Sequence, residues 1–209
     1  YSSVTSLYQH PVTGVLYAAT YGDGIYKLNT EFSETWEPAD HGLSELAQYV
    51  TYISFDVNNE STIYACTHKD WVYKSTDSGA SWTPLPFPAS LQAEYPPMAY
   101  FLEVDPNNSQ SIWVGAAPGS NYQNQTPFYK ADEDQGLGGL YHSFDSGETW
   151  EQTLYDFGGY RLTIDSTETI MTPDGESSQT LYLAYIGGKS VLKSEDGGQS
   201  FTTQTEGLK

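Results

Sequence analysis

The 209-residue chain is poor in cationic side chains: seven Lys and a single arginine, Arg161, stand against 27 Asp+Glu, a formal charge of −19. A nucleic-acid ligand is excluded on that ground, because phosphate contacts need clustered Lys/Arg to release counterions and a field of this sign repels a polyanion. A basic face for anionic lipid is missing for the same reason. The one cysteine, Cys66, forbids an internal disulfide framework and a Cys-cluster zinc site; in the apolar run Ile63-Tyr64-Ala65-Cys66 it reads as a small buried hydrophobe. No run approaches the ~18 apolar residues of a membrane span. The four histidines, His10, His41, His68 and His142, show no metal spacing, and neither a Gly-X-Ser-X-Gly elbow nor a phosphate loop occurs. His142 falls within a strand and reads as a packing residue.

Aromatics, by contrast, are abundant: 18 Tyr, 8 Phe and 5 Trp, too many for a disordered acidic tail. The length suits one domain or two small ones. The chain opens on Tyr1 without a signal-peptide pattern, so a processed chain or a fragment is expected. Sequons at Asn59, Asn107 and Asn124 permit glycosylation. With few Lys and many Tyr, Ser and Thr, they fit an extracellular or cell-surface protein.

Self-similarity organises the rest. Ser75-Thr76-Asp77-Ser78-Gly79-Ala80-Ser81-Trp82 recurs as Ser143-Phe144-Asp145-Ser146-Gly147-Glu148-Thr149-Trp150 and as Ser194-Glu195-Asp196-Gly197-Gly198-Gln199-Ser200-Phe201. A worn copy runs from Asn29 to Trp36, with Glu31 for Asp and Ser33 for Gly. The closing aromatics lie 46, 68 and 51 residues apart. Short runs rich in Tyr, Ile, Val, Trp and Thr, bounded by Gly, Pro, Asn and Asp, predict four strands per unit. First strands are expected at Val4–Tyr8, Val50–Phe55, Ala99–Val104 and Thr169–Thr172; second strands at Val15–Ala19, Thr62–Thr67, Ser111–Ala116 and Thr180–Tyr185. Third strands are expected at Gly24–Leu28, Trp71–Ser75, Gly139–Ser143 and Ser190–Ser194, with fourth strands starting at Thr35, Ser81, Thr149 and Ser200.

Four strands per ~45–50-residue unit predict an all-β propeller with four visible blades: 1–48, 49–97, 98–160 and 161–209. A lone meander cannot cover both its faces, so blades must stack, either in part of a larger ring or as a closed four-bladed ring. In each octet Gly79, Gly147 and Gly198 would supply positive φ, Asp77, Asp145 and Asp196 would bond turn amides, and Trp82, Trp150 and Phe201 would wedge between blades. The octet resembles the Asp-box of BNR repeats, which occur in sialidases, xyloglucanases and sortilin-like Vps10 domains. In those families the box is structural.

Strand reversal puts the octets on one face of the disc. The other carries Thr20–Asp23, Thr67–Asp70, Ile186–Lys189 and the crossovers around 40–48, 84–97 and 154–168. The third unit is irregular. Trp113 to Tyr141 spans 28 residues where Tyr17 to Tyr26 and Tyr64 to Tyr73 span 9, which places a 19-residue insertion within about 118–138. Its Tyr122, Phe128 and Tyr129 beside Asn124 suit sugar stacking and hydroxyl recognition; a solvated flap or a blade-packing element is the structural alternative. Asp132 and Asp134 are calcium candidates, without EF-hand spacing.

The resemblance implies chemistries that the residues test. A sialidase clamps its substrate carboxylate with three arginines, and one Arg161 cannot supply them. The run Leu16–Tyr26 is similar to the blade pattern of xyloglucanases, whose catalytic Asp falls five residues before the third-strand Tyr; Tyr21 and His68 stand there instead, and both are ligand-binding candidates. Asp23 and Asp70, three residues before Tyr26 and Tyr73, are candidates for an acid and base, and inverting cleavage would need their carboxyls about 6.5–9.5 Å apart. Paired loop aspartates also serve simply as turn formers. Three readings follow: a secreted module binding a glycan or protein, a glycoside hydrolase of which this chain supplies part of the active face, or a structural, assembly-factor-like propeller. Further blades or an oligomeric partner would complete it.

Overall fold

The computed structural model describes residues 2–29, 34–86, 98–117, 138–155, 159–171, 177–185, 190–204 and 206. The 118–138 insertion, with Tyr122, Asn124, Phe128, Tyr129, Asp132 and Asp134, lies almost wholly outside them. Among the described residues sixteen strands form four antiparallel sheets, each taking its strands in chain order or its reverse. Blade 1 holds β1 (Ser3–Gln9), β2 (Leu16–Tyr21), β3 (Ile25–Asn29) and β4 (Thr35–Pro38). Blade 2 holds β5 (Val50–Phe55), β6 (Ile63–Thr67), β7 (Val72–Ser75) and β8 (Thr83–Pro84). Blade 3 holds β9 (Met98–Asp105), β10 (Asn108–Ala117), β11 (Gly139–Ser143) and β12 (Glu151–Tyr155). Blade 4 holds β13 (Gly159–Met171), β14 (Ser177–Tyr185), β15 (Ser190–Ser194) and β16 (Thr202–Gln204). The all-β propeller architecture stands; among the described residues no helix is long and apolar enough to cross a membrane.

The first strand of blade 4 corrects the sequence reading. It spans Gly159–Met171 rather than Thr169–Thr172, so most of the stretch expected as a crossover is strand. Leu162 and Ile164 pair with Leu183 and Leu181 of β14, and a register shift between Asp165 and Thr169 absorbs the polar Asp165-Ser166-Thr167 step. Within that step the Thr167 amide donates to Asp165 Oδ1 at 2.9 Å, a local turn that interrupts the alternation by which a sequence reader recognises a strand. Fourth strands begin about two residues later than expected in blades 2, 3 and 4, because the closing octet residues belong to the turn.

Side-chain alternation makes each sheet two-faced, and the core is three layers between four blades. Tyr17, Ala19 and Ile25 meet Val50, Ile53, Ile63, Ala65, Tyr73 and Trp82 between blades 1 and 2. The opposite face of blade 2, with Tyr64, Cys66 and Val72, meets Leu102, Val104, Ile112 and Val114 of blade 3. Phe101, Trp113 and Leu140 then meet Leu162, Leu181 and Leu183 of blade 4. Cys66 is buried, and burial raises its thiol pKa well above the ordinary value.

First strands lie side by side around the axis. Each carries one unpaired extra residue at the equivalent place: Thr5, Thr51, Tyr100 and Tyr160. Such bulges sharpen the twist of a strand. They also free hydroxyls to stitch blades together: Thr5 Oγ1 donates to the Val50 carbonyl at 3.4 Å and Thr51 Oγ1 to the Ala99 carbonyl at 2.6 Å. The array is open, not a closed four-bladed ring. Val4, Leu7 and Trp36 on the outer side of blade 1 are exposed, so blade 4 does not cover them.

The repeated octet forms one turn three times. Ser75 Oγ accepts from the Gly79 amide (2.9 Å) while donating to Asp77 Oδ1 (2.7 Å), and Asp77 accepts from the Ser81 amide (2.8 Å) and hydroxyl (2.6 Å). Ser143/Asp145/Gly147/Thr149 and Ser194/Asp196/Gly198/Ser200 repeat this pattern. The Ser81 hydroxyl, then the Ser81 amide and Ser75, hold the Asp77 pKa down to about 2. Gly79, Gly147 and Gly198 all have positive φ, at +80°, +98° and +88°. Trp82 crosses to the preceding blade, its Nε1 donating to the Ala39 carbonyl at 2.8 Å; Trp150 does the same to Pro86 at 3.0 Å, and Phe201 packs against the blade 3–4 core.

Candidate functional site

The face opposite the octets is shaped by two matching turns. In the β2–β3 turn Thr20 Oγ1 donates to the Gly24 carbonyl (2.9 Å) and accepts from the Asp23 amide (3.0 Å). In the β6–β7 turn Thr67 Oγ1 likewise donates to Trp71 (3.1 Å) and accepts from Asp70 (2.9 Å). Gly24 and Trp71 occupy the same place with φ of +69° and +57°; Trp71 adopts a backbone that its side chain makes costly. The crossover before β5 ties the turns together, since the Gly22 and Gly24 amides both donate to the Gln48 carbonyl and the His68 amide donates to Tyr49.

These ties gather an aromatic cluster. Tyr21 forms a β-bridge with Tyr49, and their rings meet edge to face at 4.9 Å. His68 meets Tyr21 at 5.5 Å, and the Lys69 ammonium sits 3.3 Å from the centre of the Tyr49 ring. Burial, helped by the Lys69 charge, lowers the His68 pKa, so the imidazole is neutral at pH 7 and offers a donor and an acceptor. Tyr21 is exposed. The structure therefore brings Tyr21 and His68 together and adds Tyr49 and Lys69, which sequence reasoning missed because the crossover delivers Tyr49.

The two loop aspartates differ. Asp70 is half-buried and accepts hydrogen bonds from the Ser44 hydroxyl (2.5 Å) and the Tyr73 hydroxyl (2.6 Å). Asp23 is exposed, and among the described residues nothing donates to its carboxylate. Their turns are equivalent, yet one carboxylate is fixed and one is free.

A second polar group lies on the axis. Tyr8, Tyr52, Glu103 and Arg161 come from the first strands of all four blades. Arg161 Nη2 donates to the Tyr52 hydroxyl (2.6 Å), which donates to Glu103 Oε1 (3.1 Å), while Arg161 Nε stands 3.9 Å from the same oxygen. Tyr8 meets Tyr52 edge to face at 5.4 Å. Burial raises the Glu103 pKa against the opposing pull of Tyr52 and Arg161. Tyr8, Tyr52 and Glu103 line an open cavity of about 280 Å³ with Gln9, Ser54 and Phe55. No sequence signal marks this group, since the four residues are spread over 153 positions and meet only when the blades stack.

The histidines divide cleanly. His142 is buried, stacked on Trp113 at 3.7 Å and bonded through Nε2 to Ser111 Oγ, with its pKa lowered to about 4 by burial. His10 holds a loop, its Nδ1 accepting from the Val12 and Thr13 amides. Among the described residues no three His, Cys, Asp or Glu side chains group as metal ligands.

Compared with known proteins, the chain matches no family model. It is 29% identical over 133 residues to a xyloglucanase of Hypocrea jecorina (strain QM6a), a match covering 56% of this chain and 16% of that protein. The crystal structure of the Niastella koreensis GH74 enzyme superposes with a TM-score of 0.70 at 22% identity, covering 97% of this chain and 29% of that one. The GH74 xyloglucanase from Xanthomonas campestris gives 0.64 at 14% identity, over 94% of this chain and 29% of its own. This chain thus spans less than a third of the length of each of these proteins, and the structural likeness is one of fold: a run of propeller blades.

Proposed function

We propose that this chain is an extracellular, xyloglucanase-related propeller segment that binds β-glucan chains on the face opposite its octet turns, the turns themselves being structural Asp-boxes. The observation that supports this reading is the cluster of exposed Tyr21 with Tyr49, neutral His68 and Lys69. Ring faces take the C–H faces of sugars, while imidazole, ammonium and the nearby Asp23 carboxylate exchange hydrogen bonds with hydroxyls. Titrating xyloglucan oligosaccharides by calorimetry tests it. Tyr21→Ala is expected to weaken binding about fivefold, the equivalent of about 1 kcal/mol of aromatic contact. No binding by the unaltered chain, or equal binding by the variant, would sink the proposal.

A catalytic version of the same reading draws on the unequal environments of Asp23 and Asp70. The two carboxyls of an inverting pair take unlike roles, and here one is held by the Ser44 and Tyr73 hydroxyls while the other meets solvent. In a separate hydrolysis assay, Asp23→Asn with Asp70→Asn in the full parent chain abolishes xyloglucan cleavage if the pair is catalytic and leaves it intact if the site only binds.

A further inference from the structure

Beside the axial group lies a cavity that the glucan-binding face does not use. Its walls include Tyr8, Gln9, Tyr52, Ser54, Phe55 and Glu103. Its volume is about 280 Å³, well beyond the about 10–15 Å³ that a single water requires. All of these residues belong to blades 1 to 3, and neither outer face of the four-blade array takes part. Gln9 and Phe55 close their first strands at the octet end, whereas Tyr21 and His68 stand at the other.

Tyr8 and Tyr52 set two rings at 81° with centres 5.4 Å apart, a corner of aromatic surface to which Phe55 adds a third ring. The donors around them are committed within the protein. The Tyr8 hydroxyl donates to the Thr51 carbonyl (3.4 Å), the Tyr52 hydroxyl to Glu103 Oε1 (3.1 Å) and the Gln9 amide to the Gly14 carbonyl (3.2 Å). The Ser54 hydroxyl can turn its lone pairs to an occupant. Ring surface and acceptor oxygens therefore remain, above all Glu103 Oε2, to which nothing donates among the described residues. Arg161 reaches the other oxygen only at 3.9 Å, and its side chain is 61% exposed. Water screens much of its charge, and burial still raises the Glu103 pKa. The same guanidinium stands 5.0 Å from the centre of the Tyr52 ring, so this aromatic surface already carries one cation.

We propose that the cavity is a binding site for a primary alkylammonium ion, with the ammonium on Glu103 Oε2 and the carbon chain against the Tyr8, Tyr52 and Phe55 rings. An ammonium brings three donors and no acceptor, which matches a wall whose own donors are spent. The rings attract the cation through their negative faces and take its methylenes out of water. A sugar asks its site for donors as well as acceptors. A hard metal ion asks for several oxygens, and this cavity has a single carboxylate. The −19 charge draws cations toward the molecule from a distance. A free amine and a lysine side chain share this chemistry.

NMR titration of the 209-residue chain with n-butylammonium chloride tests the proposal, at about 0.1 M total ionic strength and beside 1-butanol as the neutral counterpart. Butylammonium is expected to bind saturably, with NOEs to the Tyr8 and Tyr52 ring protons, and butanol is expected not to bind. Glu103→Gln, which keeps an acceptor for Tyr52, is expected to weaken binding about tenfold and Tyr8→Leu about threefold. Glu148→Gln, which removes an exposed charge from an octet turn, is expected to leave it unchanged. Nα-acetyl-lysine amide binding at least as tightly as butylammonium assigns the site to a lysine side chain, and weaker binding assigns it to a free amine. The NOEs and the butanol comparison are read on the unaltered chain, so they decide the matter whether or not a variant folds. No saturable binding by that chain, equal binding of butanol, NOEs confined to other residues, or equal losses in Glu148→Gln and Glu103→Gln overturns the proposal.

Discussion

His142 is the residue whose environment most clearly outweighs its intrinsic chemistry. Stacked on Trp113 and bonded to Ser111, it is lowered from 6.5 to about 4 because burial disfavours the imidazolium. Its folded pKa lies below its unfolded one, so the unfolded chain takes up the proton first. Stability is then full above about pH 6.5 and declines as pH falls toward 4, by up to about 3 kcal/mol for a shift of this size. Urea unfolding between pH 7 and 5 is expected to show that decline, and His142→Gln to flatten it. The packing role was legible from the position of His142 within a strand. Glu103 was not legible: its neighbours Tyr52 and Arg161 are 51 and 58 positions away, and nothing about a lone Glu announces partners from other blades.

At the scale of the element, the octet turn is the most fully sequence-encoded feature. Ser, Asp and Gly at fixed offsets close its hydrogen bonds locally, so the same pattern yields the same turn in blades 2, 3 and 4. The glycine has a second duty, which lies outside the turn. At Gly198 a Cβ would stand 2.2 Å from the rigid Trp113 ring, and φ is already +88°. Gly198→Ala is therefore expected to cost about 3 kcal/mol from overpacking and left-handed backbone together, read as a drop in Tm. By contrast β13 is not legible in the sequence over its full length, because its Asp165-Ser166-Thr167 step looks like a loop; pairing with β14 on both sides of the step keeps it in the sheet.

For the whole molecule, stability rests on three apolar layers between blades set against the self-repulsion of a −19 chain. Ion pairing compensates little: among the described residues the salt bridges are Arg161–Glu103 and Lys193–Glu195. Screening should then favour the folded state. Raising sodium chloride from about 0.02 to about 0.5 M is expected to raise Tm. An unchanged or lowered Tm would mean that the acidic side chains are spread too widely to repel one another.

The amino-acid sequence by itself determined the blade: four strands, a turn with a Ser-Asp-Gly signature, and alternating residues that give each sheet two apolar faces. It also determined what one arginine cannot do. Those properties are local, set by hydrogen bonds within a few residues and by a side-chain period of two. The tertiary structure decided which groups meet. Tyr49 reaches Tyr21 and His68 through the crossover, and Glu103 reaches Tyr52 and Arg161 across the axis. The strand pattern encodes which way a side chain points from its own sheet, whereas its partner across the gap depends on how far each blade is rotated against the next.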